Sequence, residues 1–291
     1  MARIRTLGLL SLAMVLLVPA PAGAGAAPAV GTPAGGTDLA SLQGVTVTSG
    51  GYAIPLRGAR PDWYTRTLQR AVESDGTVAA PAQAPLPSTV GIRPGAWMIA
   101  PAGCTMNFVF QQGGSYAIGT AGHCVERVGE PVTLLTLAPG TENPVLVNVG
   151  SVISFRDNGI GDDFGLVSIR PELNEWVDPT IAVVGGPCGA YAGSGPETVW
   201  HYGHGLGIGT GGTPRAGVAL TWREDAYGWD GAAIFGDSGS PVRVTDLKAA
   251  GNLTHLVVDT RWLPSFIAGT RIGRIQQMAG GWSLASSSLC L

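Results

Sequence analysis

The stretch FGDSGSP, residues 235–241, sets Ser238 between two glycines, just behind Asp237 and shortly before Pro241. A serine hydroxyl is a weak nucleophile at neutral pH and becomes a strong one when a positioned base takes its proton and a third group orients that base. The chain offers both kinds of partner. His123 lies in GTAGHC, residues 119–124, next to a cysteine and at the end of the apolar segment SYAI. Asp162 and Asp163 open the apolar segment DDFGLVSI, residues 162–169. An alcohol, an imidazole and a carboxylate so far apart in sequence can act together only if separate strands deliver them to one place.

Each of these has a bland reading when taken alone. A Gly-Asp-Ser-Gly stretch forms many tight turns, and it is the three together, in this order, that outweigh that reading. Other chemistry-bearing residue types make weaker cases. In HYGH, residues 201–204, the i, i+3 histidine pair on a strand does not converge on one ion and has no third ligand. The glycine-rich GHGLGIGTGG, residues 203–212, lacks the Lys-Ser/Thr that a phosphate loop requires. NLT at 252–254 is a sequon within a predicted strand pair and is read as chance. No pair of cysteines has the Cys-x-x-Cys spacing of a zinc site, and the nucleophilic chemistry of Ser, His and Asp calls for no metal or organic cofactor.

Elements able to position Ser238, His123 and one of the two aspartates are visible from Gly91 onward. Short segments rich in Val, Ile, Leu and aromatics, among them WMIAPAGCTMNFVF, PVLVNVGSVISF, GVALTW and LTHLVVDT, alternate with Gly, Pro, Asp and Asn. That habit belongs to all-β barrels and sandwiches. Helical periodicity is weak apart from Arg271 to Met278 and PDWYTRTLQRAVESDG, residues 61–76, where Asp62 is the predicted cap and Gly76 the stop. Residues 27–56, mostly small or turn-forming, predict a flexible lead-in, and the three prolines of residues 77–89 predict an exposed linker.

At the N-terminus, basic residues precede a charge-free apolar run from Leu7 to Val18, then Pro19, Pro21 and small residues with A-x-A spacing. This is a secretory signal peptide over residues 1–26, too short to anchor the chain in a membrane. Export makes the four cysteines candidates for two disulfides. Of the three connectivities, pairing Cys104 with Cys124 closes a short loop between strand-like segments and leaves Cys188 with Cys290. A net charge of −3 without a basic block argues against a nucleic-acid partner.

The series TAGHC, DFGLVSI and GDSGSP resembles the chymotrypsin-like (trypsin fold) serine proteases, especially their secreted bacterial branch, over roughly residues 91–275. The order His, Asp, Ser matches that fold and not subtilisins or α/β-hydrolases. The resemblance implies two antiparallel six-stranded β-barrels, residues 91–176 and 177–291, with the site in the cleft between them and residues 27–90 as an extension or propeptide. It implies that Ser238 attacks a peptide carbonyl, His123 shuttles the proton and Asp163, rather than Asp162, orients His123. Gly236 and Ser238 would supply oxyanion N–H groups.

Asp237, by the same resemblance, needs a buried positive partner. VGIRPG at 90–95 is not the Ile-Val-Gly-Gly type of new N-terminus that serves animal digestive enzymes, which leaves an internal arginine, Arg215 or Arg223. Counting back from Ser238 places Ala232 near the base of the primary pocket, without a counter-charge for Lys or Arg, so apolar or aromatic side chains are expected before the cut. His255 and Asp259 in the predicted pocket wall give a second expectation, an acidic side chain. The reading is a monomeric secreted endopeptidase acting on protein or peptide substrates. Its rivals are a catalytically silent binding protein of the same fold and an esterase-like hydrolase with the same triad.

Overall fold

The computed structural model describes residues 44–48, 51–205, 212–259 and 266–290, all within one compact unit. The signal-peptide reading and most of the lead-in lie outside the described residues, as does most of the 203–212 glycine-rich stretch.

The first half of the chain forms β4 (Trp97–Ala100), β5 (Cys104–Thr105), β6 (Val109–Gln112), β7 (Ser115–Thr120), β8 (Pro131–Leu137), β9 (Pro144–Asp157) and β10 (Asp163–Ser168). They pair antiparallel in the order β6-β7-β10-β9-β8-β4-β5. The two end members, β5 and β6, are separated only by residues 106–108. They are one interrupted strand, so the two ends of the sheet meet and six strands curl into a barrel. The inward side chains, among them Met98, Ile118, Leu134, Val147 and Val167, are fully buried.

The second half repeats the arrangement with β11 (Glu197–Gly203), β12 (Thr213–Trp222), β13 (Ala226–Asp230), β14 (Pro241–Val244), β15 (Ala249–Asn252), β16 (His255–Asp259) and β17 (Phe266–Thr270). Their order is β16-β17-β13-β12-β11-β14-β15, and its end members are separated only by Leu253 and Thr254. Here too six strands close. The inside is filled by Val199, Tyr227, Trp229, Val242 and Ile267, with Tyr227 stacked between Trp222 and Trp229 at 5.2 Å on each side. A third apolar cluster joins Phe108, Phe110, Phe164 and Leu166 of the first barrel to Tyr202 of the second and to Ile275 of α2 (Ile272–Met278). Burying this seam is what presses the barrels together.

Among the described residues four short strands lie outside the two barrels, and they cross the expected boundaries. β3 (Thr77–Ala79) pairs with β9, so part of the predicted linker is structured. β18 (Ser283–Leu284) returns from the C-terminal end to pair with β6, placing the tail of 177–291 on the first barrel. β1 (Thr46–Thr48) and β2 (Gly51–Pro55) fall in the region read as a flexible lead-in, yet β2 pairs along β16. Small side chains predict that a segment cannot build its own core. They say nothing about whether its backbone can complete the free edge of another sheet.

The predicted N-terminal helix exists as α1 (Arg66–Asp75), but its cap is Thr65, whose hydroxyl accepts the Leu68 N–H at 3.3 Å, and not Asp62. Gly76 ends it as expected, sending its N–H to Val72 O. The helix is not isolated. Val72 and Tyr64 pack on Trp97, Ile99, Leu135 and Leu146 of the first barrel.

Both disulfides are formed, Cys104–Cys124 and Cys188–Cys290. The second spans 102 residues and ties the C-terminal segment to the start of the second barrel. Replacing Cys188 and Cys290 by serine is expected to lower the unfolding free energy by about 2–5 kcal/mol, measured by urea denaturation of both proteins.

Candidate active site

His123 sits in a 3-10 turn, Gly122–Cys124, directly after β7. The Cys104–Cys124 disulfide clamps this turn to β5, so the imidazole enters the cleft from a fixed backbone. Asp163 is the first residue of β10 and is fully buried. Ser238 is buried in the turn that leads into β14.

These three, expected from the sequence, meet in one line. His123 Nδ1 lies 2.6 Å from Asp163 Oδ2, and His123 Nε2 lies 2.7 Å from Ser238 Oγ. With the carboxylate accepting from Nδ1–H, Nε2 is the lone-pair nitrogen and accepts from the serine hydroxyl. The hydroxyl has a second acceptor in Thr254 O at 3.1 Å. Asp162, the neighbouring carboxylate, points elsewhere and pairs with Arg274 at 2.7 Å.

A buried carboxylate needs its lone pairs satisfied. Asp163 Oδ1 accepts the backbone N–H groups of Gly122, at 2.5 Å, and of His123, at 3.2 Å. Burial alone pushes the Asp163 carboxyl up, but His123, its hydrogen bonds and His255 outweigh this and hold it below the usual carboxylate range. The backbone of Asp163 is gripped from the second barrel as well. Its carbonyl accepts from Asn252 Nδ2 and Thr270 Oγ1, and its N–H donates to Thr270 Oγ1. The NLT sequon is therefore an internal bracket, since Asn252 is fully buried and also accepts the Thr270 N–H.

His255, expected in the pocket wall, faces Asp163 instead. Its Nδ1 is 2.9 Å from Thr254 Oγ1 and 3.7 Å from Asp163 Oδ2, and its ring meets His123 edge to face. Burial lowers its pKa to about 4, against the pull of Asp163, so it is neutral at pH 7. His123, Asp163 and His255 cluster closely enough to surround a cation. The atoms that such an ion would take are already engaged in hydrogen bonds with each other, Thr254 and the backbone.

The N–H groups of Gly236 and Ser238 converge on one oxygen, the carbonyl of Leu56, at 2.7 and 3.4 Å. Gly236 has φ +102°, and a Cβ there would come within 2.8 Å of His204 O, so both the backbone geometry and the space require glycine. The turn is fastened to the first barrel by Thr105, whose N–H donates to Ser238 O and whose hydroxyl donates to Gly236 O. Asp237 is fully buried with Arg215 at 2.5 Å, and its carboxylate also accepts from Gly205 and Ile234 N–H. Arg223, the other arginine considered, is largely exposed beside Asp225.

Ala232 is exposed, and its carbonyl accepts from His201 Nε2. Its neighbour Ala233 packs instead against the apolar cluster of the second barrel. Counting back through a loop fixes position only to a residue or so, because a loop has no ladder to hold its register. His201 and His204 take packing roles: His204 stacks on Trp97 at 5.5 Å. The side chain of Asp259 lies outside the described residues. Thr105, Thr254 and Thr270 carried no sequence signal, being ordinary strand threonines until the barrels are assembled.

Among solved structures the chain is similar to a glutamic-acid-specific serine protease described as using a histidine triad in substrate binding, at 16% identity over 67% of this chain and 100% of that one, with a TM-score of 0.47. It is also similar to Thermobifida fusca Protease A, at 19% identity over 67% and 98% and a TM-score of 0.43, and to an alpha-lytic protease homolog, N4, at 19% identity over 67% and 99% and a TM-score of 0.42. No family model and no curated protein matches the chain. At such low identities and TM-scores these likenesses decide nothing about chemistry, which rests on the hydrogen-bonded line itself.

Neutral buried histidines give the site a pH signature. Burial lowers His204, like His255, to about 4, so the unfolded chain takes up protons near pH 6.5 that the folded one refuses. Stability is then complete above about pH 6.5 and falls as pH drops toward 4, by about 2–3 kcal/mol for each histidine. Urea unfolding at pH 7 and pH 5 is expected to show that loss, with His204→Phe, which keeps the ring on Trp97, flattening part of the slope.

Proposed function

We propose that the protein is a secreted serine endopeptidase in which Ser238, His123 and Asp163 form the catalytic triad. One observation carries this: the continuous line from Asp163 Oδ2 through both ring nitrogens of His123 to Ser238 Oγ, at 2.6 and 2.7 Å. In the reaction His123 Nε2 takes the hydroxyl proton as Oγ attacks a substrate carbonyl carbon, then returns it to the departing amine. Water repeats the sequence on the acyl-enzyme. Asp163 holds the Nδ1–H tautomer and balances the imidazolium that forms. The N–H groups of Gly236 and Ser238 are the oxyanion donors, each of a kind whose loss typically costs about 100- to 1000-fold in rate.

Arg215 is a positioning residue in this reading. Its guanidinium neutralises buried Asp237, and Asp237 in turn accepts from the N–H groups of Ile234, just ahead of the oxyanion turn, and of Gly205, in the neighbouring segment. The preference before the cut is for apolar or aromatic side chains, because the adjoining second-barrel cluster, with Ala233, Tyr227 and Leu253, offers no counter-charge. The leader at residues 1–26 and the two disulfides support action outside the cell.

Ser238→Ala is expected to reduce peptide hydrolysis by about 10⁴-fold or more and to abolish labelling by a fluorophosphonate, read by mass spectrometry of the adduct. Arg215→Gln should lose most activity while retaining the β-sheet circular dichroism spectrum; full activity would remove Arg215 from the mechanism. In a peptide library, cleavage after Leu, Met or Phe should dominate, and dominant cleavage after Arg, Lys or Glu would overturn the assigned preference. Faster turnover of matched esters alone, with no peptide cleavage, would favour the esterase alternative.

A further inference from the structure

The oxyanion donors already hold a carbonyl, and it belongs to this chain. We propose that residues 51–58 are the protein's own first substrate, a strand that fills the cleft and is cut by Ser238 between Leu56 and Arg57. This rests on the hydrolase reading above and goes beyond it by naming the bond.

The segment makes the contacts expected of a bound peptide on both sides of that bond. Upstream, β2 adds an antiparallel strand to the edge of β16, with Pro55 opposite His255, Ile54 opposite Leu256 and Ala53 opposite Val257. Edge addition recognises an extended backbone through main-chain hydrogen bonds and leaves pockets to read side chains. Leu56 N–H donates to Thr254 O at 3.0 Å, and Leu56 O accepts from Gly236 and Ser238. The Leu56 side chain is 1% exposed within the cluster that includes Tyr227, Trp229 and Leu253. Downstream, Gly58 and Gly103 exchange both backbone hydrogen bonds, at 2.8 and 3.1 Å, and Arg57 reaches His123 O and Glu126. A Cβ at position 58 would lie 2.6 Å from Gly103 O, so this approach needs glycine.

With Leu56 O on the N–H groups of Gly236 and Ser238, and Arg57 reaching His123 O, the bond is placed beside the residues that carry the nucleophile and the base. Attack by Ser238 Oγ on the Leu56 carbonyl carbon sends the hydroxyl proton to His123 Nε2. The Leu56–Arg57 C–N bond then breaks, and that proton passes to the Arg57 nitrogen, leaving Leu56 as an ester on Ser238. One water hydrolyses the ester, so that Leu56 ends in a carboxylate and Ser238 is restored.

The fold also separates the two products. Among the described residues, the strand pairing of β1 is with β2, and β2 is held to the barrels through β16. Beyond Arg57, Tyr64 and α1 are buried against the first barrel. Scission therefore divides an edge-bound strand from a core-bound helix, and the strand can leave. Before scission a tethered occupant competes at an effective concentration on the order of millimolar, so the uncut chain is closed to dilute substrates.

The test uses full-length wild type, Ser238→Ala and Arg57→Pro, the last placing a tertiary amide nitrogen at the leaving position. N-terminal sequencing and intact mass should show wild type converting to a chain that begins at Arg57, at a rate unchanged by tenfold dilution. Ser238→Ala and Arg57→Pro should stay uncut. Arg57→Pro should also hydrolyse a leucine-containing peptide, and react with a fluorophosphonate, at least about tenfold more slowly than cut wild type. Wild type that hydrolyses peptides with the 56–57 bond intact, scission that accelerates with concentration, or Arg57→Pro as active as cut wild type would each overturn self-cleavage while leaving the hydrolase reading in place. Absence of labelling and turnover in every form, with wild type uncut, would instead remove the hydrolase reading and the self-cleavage with it.

Discussion

A fully buried carboxylate is the constraint around which this structure is arranged. Asp163 can remain ionised out of water because two backbone N–H groups and the His123 imidazole meet its carboxylate, and it is held there because Asn252 and Thr270 grip its backbone from the second barrel. Those partners come from both barrels. The seam between the barrels therefore has to close with the accuracy of hydrogen bonds, and the apolar cluster of Phe108, Phe164, Leu166 and Tyr202 supplies the force that closes it. A carboxylate left with fewer partners would take up a proton or force the seam open.

The second buried acid solves a different problem. Ser238 and Gly236 must aim N–H groups into the cleft from a tight turn, whose own backbone bonds run from Asp237 N–H to Ile234 O and from Ser240 N–H to Asp237 O. Asp237 adds side-chain ties to Arg215 from β12, Gly205 from beyond β11 and Ile234 from the preceding loop. Thr105 adds a fastening from the first barrel next to the Cys104–Cys124 disulfide that also fixes His123. Base, nucleophile and oxyanion donors are thus referred to the same few residues of β5, and their separations are preserved even if the outer loops move.

The occupied cleft joins these two arrangements. A strand edge at β16, an apolar hollow in the second barrel and two converging N–H groups are each unsatisfied surfaces, and β2 with Leu56 satisfies all of them at once. Neutral His255 lies beside this edge, so the pairing of β2 meets no extra buried charge at neutral pH. The segment looked unstructured in sequence because residues 27–56 as a whole carry few large side chains. Its order comes from backbone pairing along β16 together with the buried Leu56 side chain.

The sequence by itself determined the strand-rich class, through short apolar segments punctuated by turn residues, and it determined which serine, histidine and aspartate to examine, because their immediate neighbours carry local geometry that a linear string records. It also narrowed the disulfide pairing and the arginine choice to few options. Tertiary structure alone decided between Arg215 and Arg223, brought His255 to Asp163, put Ala233 rather than Ala232 against the apolar cluster and laid residues 51–58 in the cleft. The physical reason is shared. Apart from the Ala232/Ala233 choice, which lies in a loop, those outcomes depend on strand register or on pairing between distant segments, and a one-residue shift in register turns a side chain to the opposite face while leaving composition and motif untouched.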